Sequence, residues 1–230
     1  MPKSSELEHI RDLLTDFSAK EGISPEDALK LSNIRYTVIG RGLFSDLLDL
    51  LKSNEDNFPE VFVGLAKYFH KLIFDGIFSN AGSFRKQSDP LDGQVHFGPF
   101  DRKSGKTAKF QGTSPQKITS ELMTICQWLS SNDSEPILTS IRFYQRFVYI
   151  HPFYDANGRI GRLLISLYLG YHGYAVLWKP LETEKKDKFI SLLNKCHDLM
   201  NKPHFEKKIR QLYRFWEKYV ISLQKLEGET

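Results

Sequence analysis

His151-Pro152-Phe153-Tyr154-Asp155-Ala156-Asn157-Gly158-Arg159-Ile160-Gly161-Arg162 decides how the rest of the chain is read. An aromatic-rich segment, Thr139 to Ile150, runs into His151. Pro152 prevents that segment from continuing as a helix, because proline lacks an N–H and clashes with the preceding turn. Asp155-Ala156-Asn157-Gly158 is loop chemistry, with Gly158 the residue able to take φ > 0. Arg159 to Leu169 then reads as a strongly apolar helix. The stretch is helix, loop, helix, and the second helix aims its free N–H groups at whatever lies beside His151 and Asp155.

Those residue types suit one chemistry. Arg159 and Arg162 are three apart and share a helix face. They sit in a first turn, where the helix dipole disfavours cations, so they need a negative partner. A phosphate chain fits, because helix N-terminal amides bind anions and arginine binds phosphate in bidentate fashion. Asn157 and Gly158 add loop amides to the same anion nest. Asp155 suits Mg²⁺, which takes one or two carboxylates and completes its octahedron with phosphate and water. His151 is usable as a general base near neutral pH. Singly, each has a plainer reading: surface pairing for the arginines, a helix N-cap for Asp155, a packed hydrogen-bonded residue for His151. Together they describe transfer of part of a nucleotide to a hydroxyl, with His151 accepting the proton and electrostatic positioning doing most of the catalysis.

Working outward, residues 6–20 place Ile10, Leu13, Leu14 and Phe17 on one helical face, and Gly22 can cap that helix. Ser24-Pro25-Glu26-Asp27 starts a second helix, predicted to run to about Leu31, with Arg41-Gly42 in a turn. Leu43 to Leu51 and Glu60 to Ile77 read as helices, the second with Val61, Leu65, Phe69, Leu72 and Ile73 along one face and His70 beside it. The helical pattern disappears from Lys86 to Gln111. There Gln94-Val95-His96-Phe97-Gly98, between Gly93 and Pro99, reads as a short hairpin or flap. Ser114-Pro115 opens a helix to Leu129. Tyr174 to Pro180 is a connector, Glu182 to Met200 a solvated helix, and His204 to Leu226 a final helix striped by Phe205, Ile209, Tyr213, Trp216 and Val220. The class is all-α with one small β element.

The central stretch resembles the Fic motif, H-P-F-x-[D/E]-G-N-[G/K]-R-x-x-R, at every defined position except Ala156, where the family usually has glycine. Phe69-His70 through Phe74, Ala81-Gly82-Ser83-Phe84-Arg85, Val95 to Gly98 and Ser114 to Leu129 resemble the segments around the family's flap, so the likeness spans roughly residues 60–200. It implies a Fic-type helical bundle with a small β-hairpin flap, divided as an N-terminal helical extension (1–58), a core (59–200) and a C-terminal helix packed on it (201–230). It also implies a protein AMP transferase, with ATP as co-substrate and Mg²⁺ on Asp155. The acceptor is then a Ser, Thr or Tyr hydroxyl of a target protein, this chain included. In that scheme His151 is the base, and Asn157 and Gly158 bind phosphate oxygens. Arg159 and Arg162 take the β- and γ-phosphates, with Ala156, Ile160 and Gly161 in the same nucleotide-binding run. Val95, His96, Phe97 and Gly98 hold the target by strand-like pairing. Phe189 and Asn194 contribute to the base pocket. A Cβ at position 156 crowds the phosphate if the backbone requires φ > 0, a change small enough for activity to survive.

Many Fic proteins carry an inhibitory helix with [S/T]-x-x-x-E-[G/N], whose glutamate pairs with the second motif arginine, here Arg162. Glu21-Gly22 and Glu227-Gly228 come nearest, and Glu21 is the preferred candidate. Because the motif handles phosphates, transfer of UMP, phosphocholine or phosphate and a catalytically silent nucleotide- or protein-binding module are the competing readings. Family members often dimerise, which makes a homodimer a further expectation.

The chain has 230 residues, 40% of them hydrophobic, enough for one sizeable core. A net charge of +4 is too weak to argue for nucleic acid. Two cysteines make no disulfide framework, the N-terminus has no apolar h-region, and the longest apolar stretch, Leu163 to Leu169, is too short to span a membrane. A cytoplasmic protein free of membrane is expected. Ser104-Gly105-Lys106-Thr107 looks like the end of a P-loop, but Phe100 stands where the loop needs its first glycine.

Overall fold

A helix pair that meets at a left-handed bend forms the centre of the molecule. The computed structural model describes residues 4–42, 44–100 and 108–224; Ser104 to Thr107 and Glu227-Gly228 lie outside the described residues. The pair consists of α6 (Pro136–Ile150) and α7 (Asn157–Tyr171). Gly161 permits their close approach, since a Cβ there would lie 2.9 Å from the Tyr144 ring. Around them pack α4 (Phe58–Phe74) and α5 (Pro115–Ser130), each starting with proline in the first turn, where its missing N–H costs nothing. Ile118, Leu122, Ile125 and Leu129 of α5 are buried, as their spacing predicts.

At the N-terminal side, α1 (Ser4–Phe17) buries Ile10, Leu13 and Phe17 in the same core. The next helix, α2, starts on a cap at Ser24, whose Oγ accepts from Asp27 N at 3.1 Å and donates to the Asp27 carboxylate at 2.8 Å. It runs through Pro25–Gly42, well past the predicted end near Leu31, and Arg41-Gly42 is helical rather than a turn. Its inward positions include Ser32 and Tyr36, and polar residues on a buried face hide the apolar period from the sequence. A short α3 (Phe44–Lys52) follows.

The flap is a two-stranded antiparallel hairpin, β1 (His96–Phe100) with β2 (Ala108–Gln111), pairing His96 with Gln111 and Phe97 with Phe110. The register shifts between Phe97 and Phe100, where Gly98 takes φ 94°. A second antiparallel pair, of strands far apart in the chain, departs from the sequence reading. The expected connector contains β3 (Tyr174–Val176) and a short α8 (Trp178–Glu182). After α9 (Lys186–Asp198), the expected long last helix stops early, as α10 (Phe205–Trp216), and Val220–Ser222 becomes β4, antiparallel to β3. Leu177 N donates to Tyr219 O at 2.8 Å and Leu223 N to Gly173 O at 2.9 Å, extending the pairing at both ends. Helix α9 is not wholly solvated either: Phe189, Leu193, Cys196 and His197 are buried. No helix among the described residues is long and apolar enough to cross a membrane.

Candidate active site

His151 closes α6 in the left-handed region, at φ 54° and ψ 59°. Pro152 denies the helix its next N–H, and a non-glycine residue in that conformation costs about 1–2 kcal/mol. The imidazole Nδ1 lies 3.1 Å from the Val148 carbonyl. A carbonyl only accepts, so Nδ1 carries the proton and Nε2 keeps its lone pair. Burial pushes the His151 pKa down to about 3, with the Arg85 cation adding to the shift and the Val148 bond opposing it. The ring is therefore neutral at physiological pH, as a base must be. Phe97 of the flap stacks on it, centroids 4.3 Å apart and planes 14° from parallel.

The loop from Phe153 to Ala156 is fastened from below. Phe153 is fully buried, stacked on His70 at 4.2 Å. His70 Nδ1 accepts from Gly82 N at 2.8 Å, and burial lowers its pKa to about 3. The Asn157 side chain, 3% exposed, turns back onto Phe153: Nδ2 donates to Phe153 O at 2.8 Å and Oδ1 accepts from Phe153 N at 3.0 Å. Its amide is thereby committed to closing the loop, leaving the first-turn backbone of α7 as the anion-facing group. The φ > 0 residue is not Gly158, which is helical, but Ala156, at φ 61° and ψ 9°. Asp155 Oδ1 accepts from Ala156 N at 2.5 Å, and Oδ2 lies 3.2 Å from Arg159 Nη2. Burial pushes the Asp155 carboxyl up, but Arg159, His9, the Ala156 N–H and His70 outweigh it and hold it below its ordinary value.

Arg159 and Arg162 share a face of α7 and both reach α2. Arg159 Nη1 donates to Ser32 Oγ at 3.0 Å and Asn33 Oδ1 at 2.9 Å. Arg162 Nε donates to Tyr36 OH at 3.0 Å and lies 2.9 Å from Glu182 Oε1, while Tyr36 OH donates to Glu182 at 3.1 Å. The Arg162 guanidinium also lies over the rings of Tyr36 and Trp178. The carboxylate on Arg162 is thus Glu182 of α8. Glu21, expected to fill that place, sits exposed in the turn after α1, and Glu227 lies outside the described residues. Ser32 and Tyr36 stand four apart, the spacing of the inhibitory pattern with tyrosine where that pattern has glutamate. A search that insists on glutamate passes over them, and no periodicity points to Glu182.

Two cavities meet at this wall, of about 730 and 530 Å³. Both are lined by His151, Gly158, Arg159, Arg162, Phe97 and Gly98. The larger opens beneath α1 and takes in Asp155, Ala156, Asn157, Val95 and His96. The smaller runs under α8 and α9 and takes in Phe189 and Asn194 with Tyr36, Trp178 and Glu182. The anticipated catalytic and nucleotide-binding residues therefore converge, with two exceptions. Ile160 is fully buried in the core and Gly161 faces Tyr144, so both serve the α6–α7 packing.

Residues 63–169 match the model of the Fic/DOC family. They form a Fic/DOC family domain. The domain's core is the helix pair and loop just described, and the match stops short of α8 and α9. Over 122 residues, 52% of this chain, the sequence is 26% identical to "Protein adenylyltransferase fic-1" of Caenorhabditis briggsae. Over 92 residues, 40% of this chain, it is 32% identical to "Probable protein adenylyltransferase" of Aquifex aeolicus. The aligned stretches span only 23% and 28% of those relatives. In structure, the chain is similar to the N-terminal Fic domain of a Bartonella quintana cell filamentation protein, solved with bound ADP. The TM-score is 0.57 over 90% of this chain and 91% of that one, at 17% identity, a likeness of fold.

Proposed function

We propose that this Fic domain transfers AMP from ATP to a hydroxyl of a target protein, itself included. The observation that carries the reading is the neutral His151 ring at the junction of the two cavities, beside Arg159, Arg162 and the first turn of α7. The cavity under α8 and α9 takes the nucleotide, its base against Phe189 and Asn194 and its phosphates against the α7 amides and the two arginines. The target segment enters by the cavity under α1 and pairs along β1. His151 Nε2 accepts the proton as the hydroxyl oxygen attacks the α-phosphorus. The bond to the bridging oxygen breaks and pyrophosphate leaves.

Asp155 is the residue that fits Mg²⁺. Among the described residues no group of three acidic, histidine or cysteine side chains forms a protein cage. One carboxylate beside a phosphate-binding wall is the donor set Mg²⁺ accepts, with phosphate and water completing the shell. When bound, the ion would neutralise charge on the phosphates. Arg159, now paired with Asp155, would then be free to turn to them.

The test is labelling. The protein is incubated with α-³²P-labelled ATP, UTP, GTP or CTP, Mg²⁺ and cell lysate, beside His151→Ala. Protein-bound label from ATP that disappears in His151→Ala is the expected result. Label from another nucleotide changes the donor, and label that persists in His151→Ala removes His151 as the base.

A further inference from the structure

Arg85 lies outside the twelve-residue motif and outside both cavities, yet it ties the base to the flap. The residue is 2% exposed. Its guanidinium meets only backbone carbonyls: Nε donates to His151 O at 2.8 Å, Nη2 to Thr113 O at 2.7 Å and Ile150 O at 3.4 Å, and Nη1 to Gly93 O. Its own backbone N–H donates to Pro152 O at 3.0 Å. Gly93 and Thr113 are the two roots of the hairpin, just before β1 and just after β2. Thr113 N in turn donates to Ile150 O at 3.0 Å, and Gly112 N to Val95 O at 3.0 Å.

Buried charges are ordinarily paired with an opposite charge. Among the described residues Arg85 makes no ion pair, and carbonyl dipoles take that part. Burial lowers its pKa, to about 10, which leaves it charged at physiological pH. The arrangement demands arginine: a rigid planar fork of five N–H donors spans carbonyls from separate segments, and the three donors on one lysine nitrogen do not. The surroundings are fitted to that fork. A Cβ at Gly112 would lie 2.9 Å from Val95 Cγ2, 3.0 Å from Arg85 Nη2 and 3.1 Å from His151 Cβ. A left-handed conformation such as that of His151 persists only where its surroundings over-determine it. Arg85 holds the carbonyls of Ile150, His151 and Pro152, on both sides of that bend.

We infer that Arg85 is a positioning residue for the transfer reaction: one guanidinium sets the backbone of His151 and both flap roots relative to one another. Base and target strand then arrive in register. The inference rests on reading His151 as the base. It separates two quantities that a general loss of structure would move together. Arg85 lines neither cavity, so donor binding is untouched, whereas a misplaced base slows the chemical step.

The experiment compares Arg85→Lys with wild type by kcat for automodification, ATP Kd by calorimetry, and hydrogen exchange at the Gly112 and Thr113 amides. A fall in kcat on the order of 100-fold is expected, the scale of a misplaced reacting group. ATP Kd stays within about twofold, well under 1 kcal/mol, and both amides exchange faster. Methylguanidinium added to Arg85→Ala restores part of kcat. Gly112→Ala crowds the guanidinium but also His151 Cβ, so it does not isolate Arg85; should Arg85→Lys fail to fold, the methylguanidinium rescue of Arg85→Ala decides, and its absence overturns the inference. Wild-type kcat with wild-type exchange in Arg85→Lys overturns the inference, as does ATP affinity falling in step with kcat in the folded variants. Hydrogen exchange needs no activity. Absence of transfer in the wild type therefore counts against His151 as base, while the exchange result still judges the clamp.

Discussion

The two ends of the Fic motif are held by different kinds of bond. At the His151 end the fastenings run to backbone atoms and rings: Nδ1 to Val148, the Asn157 side chain to both polar atoms of Phe153, and Phe97 over the imidazole. An incoming phosphate offers none of these groups a better partner. At the arginine end the fastenings are side chains: Ser32, Asn33 and Asp155 on Arg159, Tyr36 and Glu182 on Arg162. A phosphate group brings negative charge and takes guanidinium in bidentate fashion, which the neutral hydroxyl and amide acceptors on Arg159 and Arg162 do not. The His151 end is built in advance, and the arginine end is filled with partners that can be exchanged.

Asn157→Leu breaks the His151 end and carries the largest expected effect. It removes two hydrogen bonds at once and leaves the Phe153 N–H and C=O buried without partners. Each orphaned group costs about 1–3 kcal/mol, so a loss of about 3 kcal/mol is expected in urea denaturation. Asn33→Ala, which removes an exposed acceptor of Arg159, should cost under about 1 kcal/mol in the same assay. Equal costs for the two substitutions would erase the distinction between the ends.

Glu182→Ala tests exchangeability at the other end. Glu182 is 36% exposed on its side chain, so its pair with Arg162 is worth about 1 kcal/mol or less. Freeing Arg162 should tighten ATP binding by up to about fivefold, the equivalent of that energy, and raise automodification. Glu21→Gly should change neither. Tighter binding in Glu21→Gly with no effect from Glu182→Ala would mean that Arg162 changes partner in solution.

The difference between the ends also explains what the sequence revealed. The motif is contiguous, so the grouping of its side chains was legible from residue types and spacing alone: a histidine, a carboxylate, helix amides and two arginines. The helices with apolar stripes were legible for the same reason, α4 through α7 especially. The partners of the arginines were not, because Ser32, Tyr36 and Glu182 come from α2 and α8 and meet α7 only in the folded chain. Ser32 and Tyr36 also disguised α2, since polar residues on an inward face break the apolar period that marks a helix. The β3–β4 pair was missed because Val220 continues the apolar stripe of α10, and only pairing with Tyr174–Val176 draws Val220 to Ser222 out as a strand. Arg85 stood in a family-like segment, but its role carried no local signal, since its four carbonyl partners come from three separate places in the chain.

Ala156 stands between the ends, and its substitution carries the smallest expected effect. The bend into α7 requires φ 61° there, and alanine supplies it at a cost of about 1–2 kcal/mol over glycine. Glycine returns about 0.5–1 kcal/mol of that advantage through its freer unfolded chain. Ala156→Gly should therefore stabilise the protein by about 0.5 kcal/mol, a rise of about 1–2 °C in Tm for a chain of this size. Nucleotide affinity should stay unchanged, because Ala156 is buried and lines the cavity under α1 but not the one under α8 and α9. A methyl group that crowded the phosphates would give a different signature: affinity would rise on its removal by much more than the stability gain accounts for. Calorimetric Kd measured beside Tm on this one variant separates backbone strain from crowding. A tighter Kd at constant Tm would move the boundary between the prebuilt end and the exchangeable end back to Asp155.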